Sequence, residues 1–469
     1  MGALTSAYAT WWWVSVDSGN GVGTETHEQG GVLTDPEPIL HAAQRLGAQQ
    51  AEAFVVQSKE TPVRFEANRL KEINARQTSG VALRVIVNGR IGFASSTRPG
   101  DVSELVEAAL ETAPFGPEAH LDFPRDGRAP NVDTYDPDVE ALPVDDMIEA
   151  GQSLIDAVRA VEPELLCDAY VRRGDSAVTI ANTNGGMFTY RGTGYSAWVN
   201  GTLIRGTDML FVGDGDASCR SQLDLKAVET SVVSQLENSR RTTEARTAEL
   251  PVVFTPLGVA SALIGPLTIA FSGRMVHQGQ SPLVGCLGKA MYDARLSLWD
   301  DATLPYRPGS RPFDDEGVGS RRNPLIEKGI VRSFLYDLQT AGLAKAESTG
   351  SAERSLAAQP SISTTSLVID EGEMSFKEMV GSVNEGLVVE ELMGAGQGNV
   401  MGGDFSGNVL LGYKIEGGEI TGRVKDTMVA GNVHEALKRL VAIGSESRWV
   451  GGSVMTPPLF FESLTVSAK

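Results

Sequence analysis

The chain is poor in the side chains on which enzymes most often build their chemistry. Only three cysteines and five histidines occur in 469 residues. Cys167, Cys219 and Cys286 lie far apart, are odd in number and form no CxxC pair. That excludes a disulfide framework and fits a reducing cytosol. The histidines are too scattered to select a catalytic triad, and there is no Gly-x-Ser-x-Gly nucleophile elbow. Positive charge is also short, with 40 Lys and Arg against 60 Asp and Glu, a net of −20. Such a field repels phosphate backbones, and no run of Lys or Arg along the chain reverses it. Nucleic acid and anionic membrane surfaces are therefore excluded as expected partners. Residues 1–30 contain no Lys or Arg, so the basic start of a secretory signal is missing despite Trp11-Trp12-Trp13. The longest apolar run, Leu257 to Phe271, is interrupted by Gly258, Gly265 and Pro266. It is shorter than the ~20 residues of a membrane span. A soluble protein is expected.

What is present suits a soluble chain of two or three domains. Hydrophobic residues reach 41%, enough for real cores, and the 52 glycines imply many turns and hairpins. Residues 1–31 read as a disordered tail, since their Gly- and Ser-rich stretches can bury little. Pro36–Leu46 predicts a helix capped by Thr34 or Asp35 and stopped by Gly47. Val81–Val87, Asn88-Gly89-Arg90 and Ile91–Ala94 predict a hairpin, because Asn-Gly tolerates the positive φ of a tight turn. Asp101-x-x-Glu104 predicts a capped helix with Val102, Leu105, Val106, Ala109 and Leu110 inward. Residues 116–143 predict a long loop, then a helix over Asp145–Val161 and short strands at 167–171, 177–181, 186–190 and 195–204. The polar segment 237–249 is the expected boundary between an N-terminal α+β domain (32–240) and a C-terminal strand-rich domain (250–469). Two helices are expected in the latter, opened by Ser375-x-x-Glu378 and Asn432-x-x-Glu435. Strands mixed with helices, without a βαβ period, predict an α+β fold.

The candidate chemistry is sparse. His434-Glu435 begins like a zinc-binding HExxH, but position 438 is Lys and 439 is Arg, so Glu435 reads as a capping residue. Gly394–Gly398 resembles part of a phosphate loop yet lacks the βαβ context, and reads as a tight loop. Asp208, Asp214 and Asp216 do not have calcium-loop spacing and read as a solvated turn. The block Asp314-Asp315-Glu316-Gly317 could hold a divalent ion or pair carboxylates for acid–base work. Arg311, Arg321 and Arg322 can instead neutralise it as ion pairs, and the block reads as a structural or loop-ordering element.

Several pieces in order resemble the TldD/PmbA family, also called the modulator-of-gyrase or U62 peptidase family. They are Ile91–Ser96, Phe313–Gly317, Leu325–Gly329, Ser348-Thr349-Gly350, Gly386–Val389, Gly403–Ser406, Ile415–Glu419 and Ala430–Asn432. The resemblance implies a two-domain α+β chain: an N-terminal sheet with helices, then a barrel-like C-terminal domain. It also implies one of two subunit types. The TldD type carries zinc on an HExxxH helix with a later Cys and cleaves unfolded peptides; the PmbA/TldE type pairs with it and lacks the metal. Counting back from Gln280–Leu283, the HExxxH window falls on Gly265–Ala270. Gly265 and Ala270 stand at the histidines, Pro266 at the glutamate and Gly451 near the Cys. None of them can bind zinc or take a proton, so the resemblance implies a PmbA/TldE-type subunit with no cofactor of its own. Zinc is then expected in a TldD-type partner and unfolded peptide as the substrate. Asp314, Asp315, Glu316, Gly317, Ser348, Thr349 and Gly350 would line the channel or order its loops. A homodimeric peptidase using the acids at 314–316, or a non-catalytic peptide-binding protein, remains the alternative at this point.

Overall fold

The computed structural model describes residues 35–98, 102–125 and 128–468. The expected tail at 1–31 and the cap at Asp101 lie outside the described residues.

Six strands build the N-terminal sheet in the order 90–96, 76–87, 50–66, 166–182, 187–205 and 208–218. A seventh, Arg69–Ile73, pairs with the far end of the 50–66 strand. All are antiparallel. The Asn-Gly hairpin forms as expected, with φ of +49° at Asn88 and +72° at Gly89. Side chains alternate strictly between the two faces. Ala51, Ala53, Val55, Val81, Leu83 and Val85 pack against the helices Glu37–Arg45 and Val102–Thr112. Phe54, Val56 and Ala82 point the other way, onto Phe188, Phe313 and Leu356. The outer half of the sheet carries the helices Val144–Val161 and Leu225–Asn238, which pack on Val63, Phe65, Val171 and Val199.

The four short strands expected between 167 and 204 are two long ones, Leu166–Asn182 and Met187–Arg205. Arg172–Ser176 looks like a turn because it is polar and contains glycine. Within the sheet Gly174 lies opposite Gly194 and Arg172 opposite Pro62, so the ladder runs on. Asp208, Asp214 and Asp216 likewise belong to a strand and not to a solvated turn. Asp214 is buried against Arg448 (2.6 Å), and both Asp208 oxygens receive Arg423 (2.6 and 2.7 Å). Long-range arginines do what water was expected to do.

Beyond residue 247 the strands 385–393, 248–254, 459–468, 427–432 and 404–416 pair in that order. The 404–416 strand then pairs back with 385–393 and closes a five-stranded barrel. Phe254 lies edge-on to Phe405 and Phe461 in its core. A separate sheet takes the strands 298–301, 322–327, 330–331, 367–369, 454–456 and 448–450. The fold is α+β, as its mixed patterning implied. The capping box at Ser375 and Glu378 is present and opens the helix Phe376–Gly381. The helix expected after Asn432 is only Val433–Ala436, and Leu440–Ile443 is a strand paired to 459–461. Asn432 does cap it, accepting from the N–H groups of His434 and Glu435. Glu435 instead pairs with Lys438.

Candidate functional site

Two places stand out: the acidic block and the helix that follows the first barrel strand. The block is a turn held from inside. Asp314 accepts from the N–H groups of Glu316 (3.0 Å) and Val318 (2.9 Å), and through its other oxygen from that of Ala352 (3.0 Å). Gly317 turns the chain at φ +79°, where an added Cβ would lie 2.5 Å from the Phe188 ring. Asp315 accepts from the N–H of Arg354 (2.9 Å) and faces Arg311 at 3.4 Å. Ser348, Thr349 and Gly350 belong to the same knot. Thr349 Oγ1 accepts from the Tyr336 N–H (2.7 Å), Ser348 Oγ donates to the Tyr336 carbonyl (3.1 Å), and Gly350 turns at φ +71°.

The knot is tied to the N-terminal sheet by a buried ladder of charges. Arg84 reaches Glu316 (2.7 Å) and Glu52 (3.1 Å), and Glu52 also meets Arg354 (2.9 Å). Glu316 Oε2 accepts from the Leu338 N–H (2.6 Å). All four side chains are 2% exposed or less. Burial pushes the Glu316 carboxyl up to about 7, with Arg84 pulling it back. Burial likewise lifts Asp314 to about 6, against Arg311. A divalent ion on this block would have to displace arginines and main-chain donors that already hold its oxygens. Of the three neighbouring arginines only Arg311 pairs within it. Arg321 donates to the Ser348 carbonyl, and Arg322 lies over the Trp299 ring near Asp301 and Asp370. Glu52, Arg84 and Arg354, the main partners, escaped sequence reasoning. A signal existed: Glu52 and Arg84 are lone charges inside strongly apolar strands, where a charge needs a partner.

The second place follows strand 248–254. Thr255 Oγ1 caps its first turn by accepting from the Gly258 N–H (3.3 Å). A π-helical turn, Val259–Leu263, then leads into the α-helix Ile264–Ala270. Val259, Ala262, Leu263, Leu267 and Ala270 join the barrel core. The accessible positions from 256 to 270 are Pro256, Leu257, Ala260, Ser261, Gly265, Thr268 and Ile269, and none carries an imidazole, thiolate or carboxylate. Gly265 faces open space, with nothing within 4 Å of an added Cβ, whereas Ala270 is fully buried. Residues five apart on an α-helix stand about 140° apart around its axis. Gly265 and Ala270 therefore do not face a common point. Gly451 belongs to the turn after Arg448–Val450, a strand that packs beside Pro256–Gly258. It turns at φ +57°, and an added Cβ would stand 3.1 Å from the Trp198 ring. The donor set at this helix does not fit a zinc ion. Among the described residues no group of three or more His, Cys, Asp or Glu is placed to hold a metal.

Two features nearby were not foreseen. Consecutive Glu390 and Glu391 occupy a bulge in strand 385–393. Glu390 accepts from Thr255 Oγ1 (2.7 Å). Burial, then Glu390, raises Glu391 to about 7. A Glu-Glu pair in the apolar run Leu387–Leu392 was the available signal. The short helix Val433–Ala436 lies near the same helix, and its His434 places Nδ1 2.9 Å from the Tyr292 hydroxyl. Burial lowers its pKa to about 4, so it is neutral. Gly394–Gly398 is a turn, with φ of +82° and +111° at its end glycines.

This architecture has known counterparts. Residues 247–468 match the PmbA/TldA metallopeptidase C-terminal domain, and residues 51–113 match PmbA/TldA metallopeptidase domain 1. Metalloprotease PmbA of Escherichia coli O157:H7 is 27% identical over 458 residues, covering 90% of this chain and 95% of that protein. A metalloprotease of Methanothermobacter thermautotrophicus is 26% identical over 415 residues, covering 83% and 87%. Among solved structures, TldE from Thermococcus kodakarensis superposes with a TM-score of 0.82 at 23% identity, over 92% of this chain and 99% of that one. With family models matching both its C-terminal domain and part of its N-terminal sheet, the chain belongs to the PmbA/TldD metallopeptidase family.

Proposed function

We propose that this chain is the metal-free, PmbA/TldE-type subunit of a cytoplasmic heterodimeric peptidase whose TldD-type partner carries the zinc and acts on unfolded peptides. The observation that carries this reading is the accessible face of the 256–270 helix. Pro256, Leu257, Ala260, Ser261, Gly265, Thr268 and Ile269 offer no zinc donor and no general base. In this reading the chain's own contribution is shape. Gly265 is exposed with nothing within 4 Å of an added Cβ, so its own side leaves that face unobstructed, and the knot at 311–354 would order the surrounding loops. The likeness to metalloprotease PmbA of Escherichia coli O157:H7, over 90% of this chain, supports the same subunit type.

The test combines metal analysis of the purified chain with hydrolysis of an unfolded peptide, alone and after a TldD-type chain is added. The expected result is no stoichiometric zinc and no hydrolysis alone, with hydrolysis and a stable complex on mixing. Chelator-sensitive hydrolysis by the isolated chain would overturn the reading.

A further inference from the structure

We propose that the outer edge formed by strand Arg69–Ile73 and the start of strand Arg76–Val87 is a docking site for an extended peptide in which acidic and apolar residues alternate. Sequence reading found no basic cluster, but folding makes one. Strand pairing sets Arg64 beside Tyr170, Arg172 opposite Pro62, Arg76 opposite Glu60 and Arg69 opposite Glu66. Arg64, Arg69, Lys71, Arg76 and Arg172 thereby gather on one face, against the carboxylates of Glu60, Glu66 and Glu72. Arg172 meets Glu60 at 3.4 Å and Lys71 meets Glu66 at 3.6 Å. Arg64, Arg69 and Arg76 have no ion-pair partner within 4.0 Å among the described residues. In a chain of net charge −20 this is a local excess of positive charge.

The backbone beside it is open. Strand 90–96 pairs with its neighbour only from Val81 onward, and among the described residues nothing pairs with the outer edge of 69–78. An open edge supplies alternating N–H and C=O groups to an added strand, and side-chain surfaces on its two faces set the sequence preference. Cations on an edge can also serve to repel other strands. The opposite face argues against that as the whole explanation. Leu70 and Ile73, aligned with Phe65 and Val63, are 44% and 43% exposed, which a purely protective edge would avoid. An added strand would place alternate residues over the arginines and the others over Leu70 and Ile73. Acidic–apolar alternation satisfies both.

The test uses the full chain without a peptidase partner and labelled eight-residue peptides, followed by fluorescence anisotropy. An (Asp-Val)4 peptide is expected to bind, (Lys-Val)4 not to bind, and (Asp-Val)4 N-methylated at alternate residues to lose binding. Arg64→Glu with Arg76→Glu should weaken binding about tenfold or more, as should high salt. Leu70→Asp with Ile73→Asp should weaken it with the arginines intact, and circular dichroism checks that both variants fold. Amide exchange should slow at 69–78 on binding. Undetectable binding, equal affinity for the lysine peptide, or indifference to N-methylation would overturn the proposal. So would self-association of the chain that the same substitutions abolish, which would assign the edge to a second copy.

Discussion

Replacing Arg84 by Met tests the buried charge ladder directly. Arg84 is 2% exposed and bridges two carboxylates, Glu52 and Glu316, that are equally buried. Methionine keeps much of the stem's volume and removes the charge. Glu52 retains Arg354 at 2.9 Å, and Glu316 retains only the Leu338 N–H at 2.6 Å. Breaking one partner of a buried pair costs about 3–5 kcal/mol, because the other charge stays buried and uncompensated. The cost depends on pH in a definite sense. The folded-state pKa of Glu316, about 7, lies above the ~4.3 of an unfolded glutamate. A raised carboxyl stabilises the fold below the unfolded pKa and loses that contribution as pH rises through the folded one. Without Arg84 the folded pKa rises further, so the loss extends to higher pH. Urea unfolding of Arg84→Met, followed by circular dichroism, should show the full destabilisation at pH 8. At pH 5.5, where Glu316 holds its proton in both proteins, it should be smaller by about 1.4 kcal/mol, the value of the one pH unit between the folded pKa and pH 8. Adding Glu316→Gln should recover much of the loss at pH 8. Equal destabilisation at both pH values, or a loss under about 1 kcal/mol at pH 8, would refute the reasoning.

Three further outcomes are expected. Gly151→Ala, in the middle of the helix Val144–Val161, should lower the melting temperature even though alanine favours helices by about 1 kcal/mol. Its Cβ would sit 2.5 Å from the buried Phe65 ring, and a calorimetric rise would contradict that packing. Native-state alkylation at pH 8, read by mass spectrometry, should mark Cys286 alone. Cys286 is half-buried, whereas burial raises Cys167 to about 11 and Cys219 to about 12. The His434 ring should stay neutral by NMR as pH falls to about 4, and a midpoint near 6.5 would mean its burial against Tyr292 is not maintained.

Much of this protein was legible along the chain because the relevant signals are local. The Asn88-Gly89 hairpin, the Ser375/Glu378 capping box and the long helix ending at Val161 each rest on neighbouring residues. Family membership was legible for another reason: its motifs are short segments whose order survives in a one-dimensional reading. The lack of donor side chains at the 256–270 helix is likewise a statement about residue types.

The misses were judgements that depended on a distant partner. Arg172–Ser176 looked like a turn until strands 50–66 and 187–205 flanked it. Asp214 looked solvated until Arg448, more than 230 positions away, closed on it. The block at 314–316 read as an ordering element neutralised by its neighbours, but its main partners Arg84 and Arg354 come from elsewhere in the fold. The arginine face beside Tyr170 exists only because antiparallel pairing brings residues from four strands together. Sequence alone determined which residue types are available and which turns and caps form. Tertiary structure decided which charges neutralise one another and which are left facing outward, because a Coulomb or hydrogen-bond partner is chosen by distance in space, not by distance along the chain.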